Sequence, residues 1–209
     1  MSAQVKVCGI NAPDAFDAAA EAGADWVGFV FVPASPRWVT PAEAARLSAR
    51  LRGGPGRVGL FVEPDDDDVA RALDAVPLGA LQLYASAERA MTLRERFGVP
   101  VWLALGVATG DDLPADAPPG VDRLLLDSKP PPGAALPGGN AQRFEWPMLR
   151  SWMAPLPWVL AGGLTPGAVA DAIRQSGAPA VDVSSGVERA RGVKDPRLIR
   201  AFVEAARSA

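Results

Sequence analysis

Short apolar runs recur along this chain at near-regular intervals, and polar, amphipathic stretches fill the gaps between them. The runs cover residues 4–8, 25–31, 57–62, 79–83, 100–104, 122–127, 158–161 and 180–183. Most are continuous rather than alternating, the pattern of parallel strands covered on both faces. The stretches between them read as helices. Residues 13–22 begin on Pro13 and stop at Gly23, the usual asymmetry of helix ends. Thr40-Pro41-Ala42-Glu43 spells a capping box opening a helix over 41–51. A helix over 65–76 starts in four aspartates, and one over 87–97 stops at Gly98. Thr165-Pro166 opens a helix to Ser176, and Asp195-Pro196 opens the last one, to Arg207.

Eight strands alternating with helices in 209 residues predict an α/β fold, a single (β/α)8 barrel domain over residues 1–209. The fifth connection, 106–120, carries Asp-Asp and Pro-Pro, so its helix is expected to be short or missing. Residues 128–140 are rich in Pro and Gly without periodicity. A loop that long in a compact domain is uncommon and often functional. It follows strand six, at the C-terminal rim where barrel active sites lie.

Composition narrows the partners. The net charge is −3, 49% of residues are hydrophobic and 22% charged, with no strongly basic run, which argues against nucleic acid. No apolar run approaches the roughly 18 residues of a membrane span. The start of the chain runs straight into a strand without a basic-then-apolar leader, and one cysteine forms no internal disulfide. Both point to the cytoplasm. The run Asp65–Asp68 suits a helix start better than a metal site, since hard-cation ligands converge rather than lie side by side.

The chain has no histidine, so proton chemistry falls to other groups. Its one cysteine, Cys8, ends the first strand. A free cysteine on its own reads as a small apolar core residue. Strand parity changes that reading. If Val5 and Val7 face the helices, Lys6 and Cys8 point into the barrel. The same parity in strand six points Leu125 and Asp127 inward, so Cys8 and Asp127 both stand on the catalytic rim. A buried carboxylate there needs a partner or a function, with a loop cap as the simpler role. Gly162-Gly163 after strand seven and Ser184-Ser185-Gly186 after strand eight fill the usual phosphate positions of this fold. Arg37, after strand two, is a surface arginine or a fork for a carboxylate at the same face.

With these pieces assembled, the chain resembles the phosphoribosylanthranilate isomerases of tryptophan biosynthesis. The resemblance rests on Lys6-Val7-Cys8-Gly9-Ile10; Gly28-Phe29-Val30-Phe31 with Ser35-Pro36-Arg37; Leu125-Leu126-Asp127-Ser128; and Leu160-Ala161-Gly162-Gly163-Leu164-Thr165-Pro166. It extends to Val181-Asp182-Val183-Ser184-Ser185-Gly186-Val187-Glu188 and Gly192-Val193-Lys194-Asp195. The resemblance implies an Amadori rearrangement of a phosphosugar, an aminoaldose becoming an aminoketose, without cofactor or metal. It implies Cys8 as general base at sugar C2 and Asp127 as general acid at the ring oxygen. It also implies Arg37 on the anthranilate carboxylate, Gly162, Gly163, Ser184, Ser185 and Gly186 on the phosphate, and Lys6 and Asp182 among the substrate-binding residues. Lys6 is the expected cation beside Cys8, and charge at the phosphate is expected mainly from backbone dipoles. A monomer or homodimer is expected.

Three departures stand out. The family's Gln-Leu-His-Gly is Gln82-Leu83-Tyr84-Ala85 here, its Gly-Gly-Thr-Gly lid reads Gly138-Gly139-Asn140-Ala141, and strand five lacks the basic residue often found there. Two other readings stay open: an indole-glycerol-phosphate-synthase type of barrel, for which Lys6 and Lys129 are available, and a phosphosugar-binding barrel without activity, which the strand-four and lid changes motivate.

Overall fold

The computed structural model describes residues 2–129 and 144–209. Eight parallel strands close into a barrel in chain order: β1 (Gln4–Cys8), β2 (Trp26–Val30), β3 (Gly56–Val62), β4 (Ala80–Tyr84), β5 (Val101–Val107), β6 (Arg123–Ser128), β7 (Trp158–Leu160) and β8 (Ala180–Val183). The seam is β1 on β8, with Lys6 opposite Asp182. Helices α1 (Pro13–Glu21), α2 (Pro41–Ser48), α3 (Asp66–Ala75), α4 (Ala87–Phe97), α5 (Val169–Ser176) and α6 (Pro196–Arg207) surround it. The fifth connection holds one 3-10 turn, Gly110–Asp112, as its prolines foretold. The described part of the sixth holds the 3-10 segment Trp146–Ser151. The loop and lid expected over 128–140 and 138–146 lie mostly outside the described residues.

Local chemistry sets the helix ends. Thr40 and Glu43 close the expected capping box on α2. That helix stops at Ser48 rather than Leu51, where the buried Arg57 guanidinium takes the carbonyls of both Ser48 and Leu51. In the aspartate run, Asp65 caps α3 through the Asp68 amide, Asp66 pairs with Arg89 and Arg96, and Asp68 pairs with Arg71. The seventh connection delays its helix. The amides of Ala168 and Val169 both turn back to the Thr165 carbonyl, and α5 starts only at Val169.

Two apolar layers follow from the period of two along the strands. Outward residues such as Val7, Phe29, Leu83, Leu126 and Val183 pack against the helices. On α6, Ile199, Phe202, Val203 and Ala206 form one buried stripe, each large side chain contributing about 1.5–3 kcal/mol by burial. The barrel interior is filled by Val58, Ala80, Trp102, Ala104, Leu125, Val159, Ala161 and Ala180. At the strand N-terminal end, the Arg123 guanidinium lies 4.9 Å from the ring centroids of both Trp26 and Trp102 and plugs the floor. The opposite end stays open. Between β8 and α6 the chain forms an unexpected antiparallel ribbon, β9 (Glu188–Ala190) and β10 (Val193–Lys194).

Candidate active site

An open cavity of about 730 Å³, counting the space at its mouth, occupies the C-terminal end of the barrel. Its wall includes Cys8 from β1, Arg37 after β2, Tyr84 and Gln82 from β4, Asp127 from β6 and Asp182 from β8. Gly162, Gly163, Ser184 and Ser185 close the β7–β8 side, and Val30, Val32, Leu60 and Val62 make the β2–β3 side apolar. Parity thus aims Cys8 and Asp127 into one space. Lys6 and Gly186 stand behind the wall rather than on it.

Lys6 is fully buried, and its Nζ donates to Asp182 Oδ1 at 2.9 Å. Burial works against the ammonium, but Asp182 and Cys8 outweigh it and hold its pKa above the ordinary lysine value. The Cys8 thiol is pushed up by burial, and Lys6 offsets only part of this. Free Cys8 is therefore a protonated thiol with a cation at hand. Space for the pair comes from Gly28 on β2. A Cβ there would stand 2.8 Å from Cys8 Sγ and 3.1 Å from Lys6 Nζ.

Asp127 accepts from the Tyr84 hydroxyl at 2.9 Å on one oxygen and from the Ser128 amide at 2.8 Å on the other. Tyr84, the departure noted above, thus points its hydroxyl at the carboxylate. Burial first, and then the Asp127 charge, hold its own pKa well above 10.0, so it stays neutral. Gly162, at φ +87°, lets the seventh loop close on Asp127; a Cβ there would meet the Ser128 amide at 2.8 Å. Loops seven and eight touch through backbone. A Cβ on Gly186 would fall 1.8 Å from the Leu164 carbonyl oxygen, so this glycine packs the loops together rather than facing the cavity.

Three residues carry roles that the sequence did not assign: Gln82, Glu188 as the carboxylate under the expected Arg37 fork, and Lys194. Gln82 is fully buried on the cavity wall, and both polar atoms of its amide lack a partner among the described residues. Its place in Ala80-Leu81-Gln82-Leu83, an otherwise apolar run, was the available signal. Arg37 forks onto Glu188 through Nε (2.6 Å) and Nη2 (3.1 Å). Lys194 buries its ammonium beside loop eight, donating to the Ser184 carbonyl at 2.9 Å, so a cation supplements the backbone dipoles expected there. Of the two lysines weighed for another chemistry, Lys6 is bound to Asp182, and Lys129 is an exposed partner of Asp112 at 3.1 Å. Neither lines the cavity.

The sequence profile of the N-(5'phosphoribosyl)anthranilate (PRA) isomerase family matches residues 5–205. The chain is 53% identical over 210 residues to the N-(5'-phosphoribosyl)anthranilate isomerase of Granulibacter bethesdensis, with 100% of both chains covered. It is 52% identical over 207 residues to that of Acidiphilium cryptum, covering 99% of this chain and 100% of the relative. Among solved structures, the phosphoribosyl anthranilate isomerase of Thermotoga maritima superposes with a TM-score of 0.84 at 33% identity, over 99% of this chain and 100% of the other. A phosphoribosyl anthranilate isomerase in complex with reduced 1-(o-carboxyphenylamino)-1-deoxyribulose 5-phosphate gives 0.83 at 33% identity, with the same coverage.

Proposed function

The chain belongs to the N-(5'-phosphoribosyl)anthranilate isomerase family, and from that premise we propose that Cys8 is the general base and Asp127 the general acid of its rearrangement. The protein is an isomerase of tryptophan biosynthesis that converts phosphoribosylanthranilate to the carboxyphenylamino-deoxyribulose phosphate. The observation that carries the assignment is the placement of a cation-backed thiol and a hydrogen-bonded carboxyl on one cavity wall.

The steps follow from these groups. In the reactive form the two groups share one proton, which sits on Asp127 and leaves Cys8 as thiolate; Asp127 gives that proton to the furanose ring oxygen as the bond from that oxygen to C1 breaks. The anthranilate nitrogen lone pair forms the C1–N double bond. Cys8, as thiolate, removes the C2 proton, giving an enolamine; the Cys8 thiol then returns a proton at C1 and the C2 hydroxyl gives its proton to the Asp127 carboxylate, which leaves the aminoketose and restores both groups. Lys6 lowers the cost of the thiolate from behind. The substrate's two anionic ends suit opposite parts of the rim: the phosphate at Gly163, Ser184 and Ser185, the carboxylate at the free face of Arg37, and the aromatic ring on Val30, Val32, Leu60 and Val62. No lysine among the described residues lines the cavity, which argues against the indole-glycerol-phosphate-synthase type of chemistry.

We read the protein as cytoplasmic and as a monomer or homodimer. No helix among the described residues is long and apolar enough to cross a membrane, and a Thermotoga maritima relative is described as a dimer from which monomers were generated. The binding reading is tested by soaking crystals in inorganic phosphate. The anion is expected between loops seven and eight, on the Ser185 amide and the Ser184 or Ser185 hydroxyl. An empty pocket with phosphate elsewhere on the rim would overturn it.

A further inference from the structure

We propose that Glu188 and Lys194 are positioning residues that set both anion-holding ends of the substrate site, Arg37 and the Ser184–Ser185 peptide, through one shared network. This rests on the reading of Arg37 and loop eight given above. The ribbon that carries the pair is pinned to the rim at several points. The Asn11 amide donates to the Gly192 carbonyl at 3.0 Å, and Gly192, at φ +80°, packs so closely on the loop after β2 that a Cβ would meet the Pro36 carbonyl oxygen at 2.5 Å.

Every donor and acceptor of the pair is taken within the protein. Glu188 Oε1 accepts from Arg37 Nε at 2.6 Å and Lys194 Nζ at 2.9 Å, and Oε2 from Arg37 Nη2 at 3.1 Å and the Gly192 amide at 3.0 Å. Those four bonds fill a carboxylate's usual capacity. The Lys194 ammonium spends its three donors on Glu188, the Ser184 carbonyl at 2.9 Å and the Ser184 hydroxyl at 3.2 Å. Neither group has anything left for a ligand, and neither lines the cavity. Both act through what they hold.

Arg37 keeps the rest of its five N–H donors, in a fixed plane, for a carboxylate. The stem of Arg37 packs on Gly9, and Glu188 fixes the plane of its guanidinium. At the other end the peptide is planar and trans. With the Ser184 carbonyl turned to Lys194, the Ser185 N–H points the opposite way. The bond between Glu188 and Lys194 joins the two ends, Glu188 holding Arg37 from 151 residues along the chain. Two cations around one anion also leave the network one positive charge in excess, beside a site built for anions.

The test uses Lys194→Met and Glu188→Gln in the intact protein, with inorganic phosphate as a competitive inhibitor and anthranilate as a probe of the other end. Lys194→Met is expected to raise the inhibition constant of phosphate and the KM about tenfold, the usual effect of losing binding common to ground and transition states, while kcat stays within about threefold. Glu188→Gln is expected to weaken both probes, and the double variant to lose less than the product of the single losses. Lys194→Gln, which keeps a donor for Ser184, serves if the methionine variant does not fold. An unchanged phosphate constant in a folded Lys194 variant overturns the assignment. Absence of competition by phosphate in the wild-type protein overturns the phosphate reading itself, and this assignment with it.

Discussion

Replacing Gly28 by alanine tests the placement of Cys8 without replacing any group that moves a proton. The added Cβ would stand 2.8 Å from Cys8 Sγ and 3.1 Å from Lys6 Nζ. Nonbonded atoms of this size rest at about 3.5–4.0 Å, so the thiol must retreat by roughly 0.7–1.2 Å. Both neighbours are enclosed, with Cys8 3% and Lys6 0% exposed, so the movement cannot dissipate into solvent. A base displaced by about 1 Å loses on the order of 10²-fold in rate, while overpacking costs about 1–3 kcal/mol of stability. The assay is turnover of freshly made phosphoribosylanthranilate, followed by loss of its anthranilate-type fluorescence, beside a thermal melt. Gly110→Ala is the control, because a Cβ there meets nothing within 4 Å. A folded Gly28→Ala protein whose kcat stays within threefold of wild type would refute the reasoning.

Three further outcomes follow from the site. Asp127→Asn keeps shape and hydrogen bonding but is a very poor proton donor, so kcat should fall about 10²–10⁴-fold with substrate still bound; a loss confined to KM would make Asp127 a binding residue. Gln82→Leu removes two buried polar atoms that have no partner among the described residues, each such group costing about 1–3 kcal/mol. The variant should melt at a higher temperature, and a lower one would show that the amide is satisfied. The rate of Cys8 alkylation by iodoacetamide in the free protein should keep rising with pH beyond the ordinary thiol pKa of about 8.5, because burial raises the folded-state value; a plateau reached at or below that pH would contradict this.

Much of the barrel was legible because parallel strands buried on both faces leave short apolar runs, and parity along them is fixed. The strands found at Gln4–Cys8 and Ala180–Val183 coincide with those expected, and the inward aim of Cys8 and Asp127 needed nothing more than alternation. Ends set by distant groups were not legible. The stop of α2 depends on Arg57, and the delayed start of α5 on a turn around Thr165. The ribbon Glu188–Lys194 escaped notice because its strands are two and three residues long and tertiary contacts hold it. Its partner Arg37 lies in another loop, so Glu188 carried no local signal. Parity alone also could not show that Lys6 and Gly186 stand behind the cavity wall, since that depends on which neighbour, Asp182 or Leu164, each one meets.

The central claim is that the Cys8 thiolate takes the substrate proton, and Cys8→Ser tests it most directly. The change in volume is small, the fold should remain, and a hydroxyl is a far weaker base. The measurement is kcat for phosphoribosylanthranilate in the folded variant, with KM and the inhibition constant of inorganic phosphate as checks on binding. The account predicts a fall in kcat of about 10²–10⁴-fold with the phosphate constant unchanged. Turnover near the wild-type rate would contradict it.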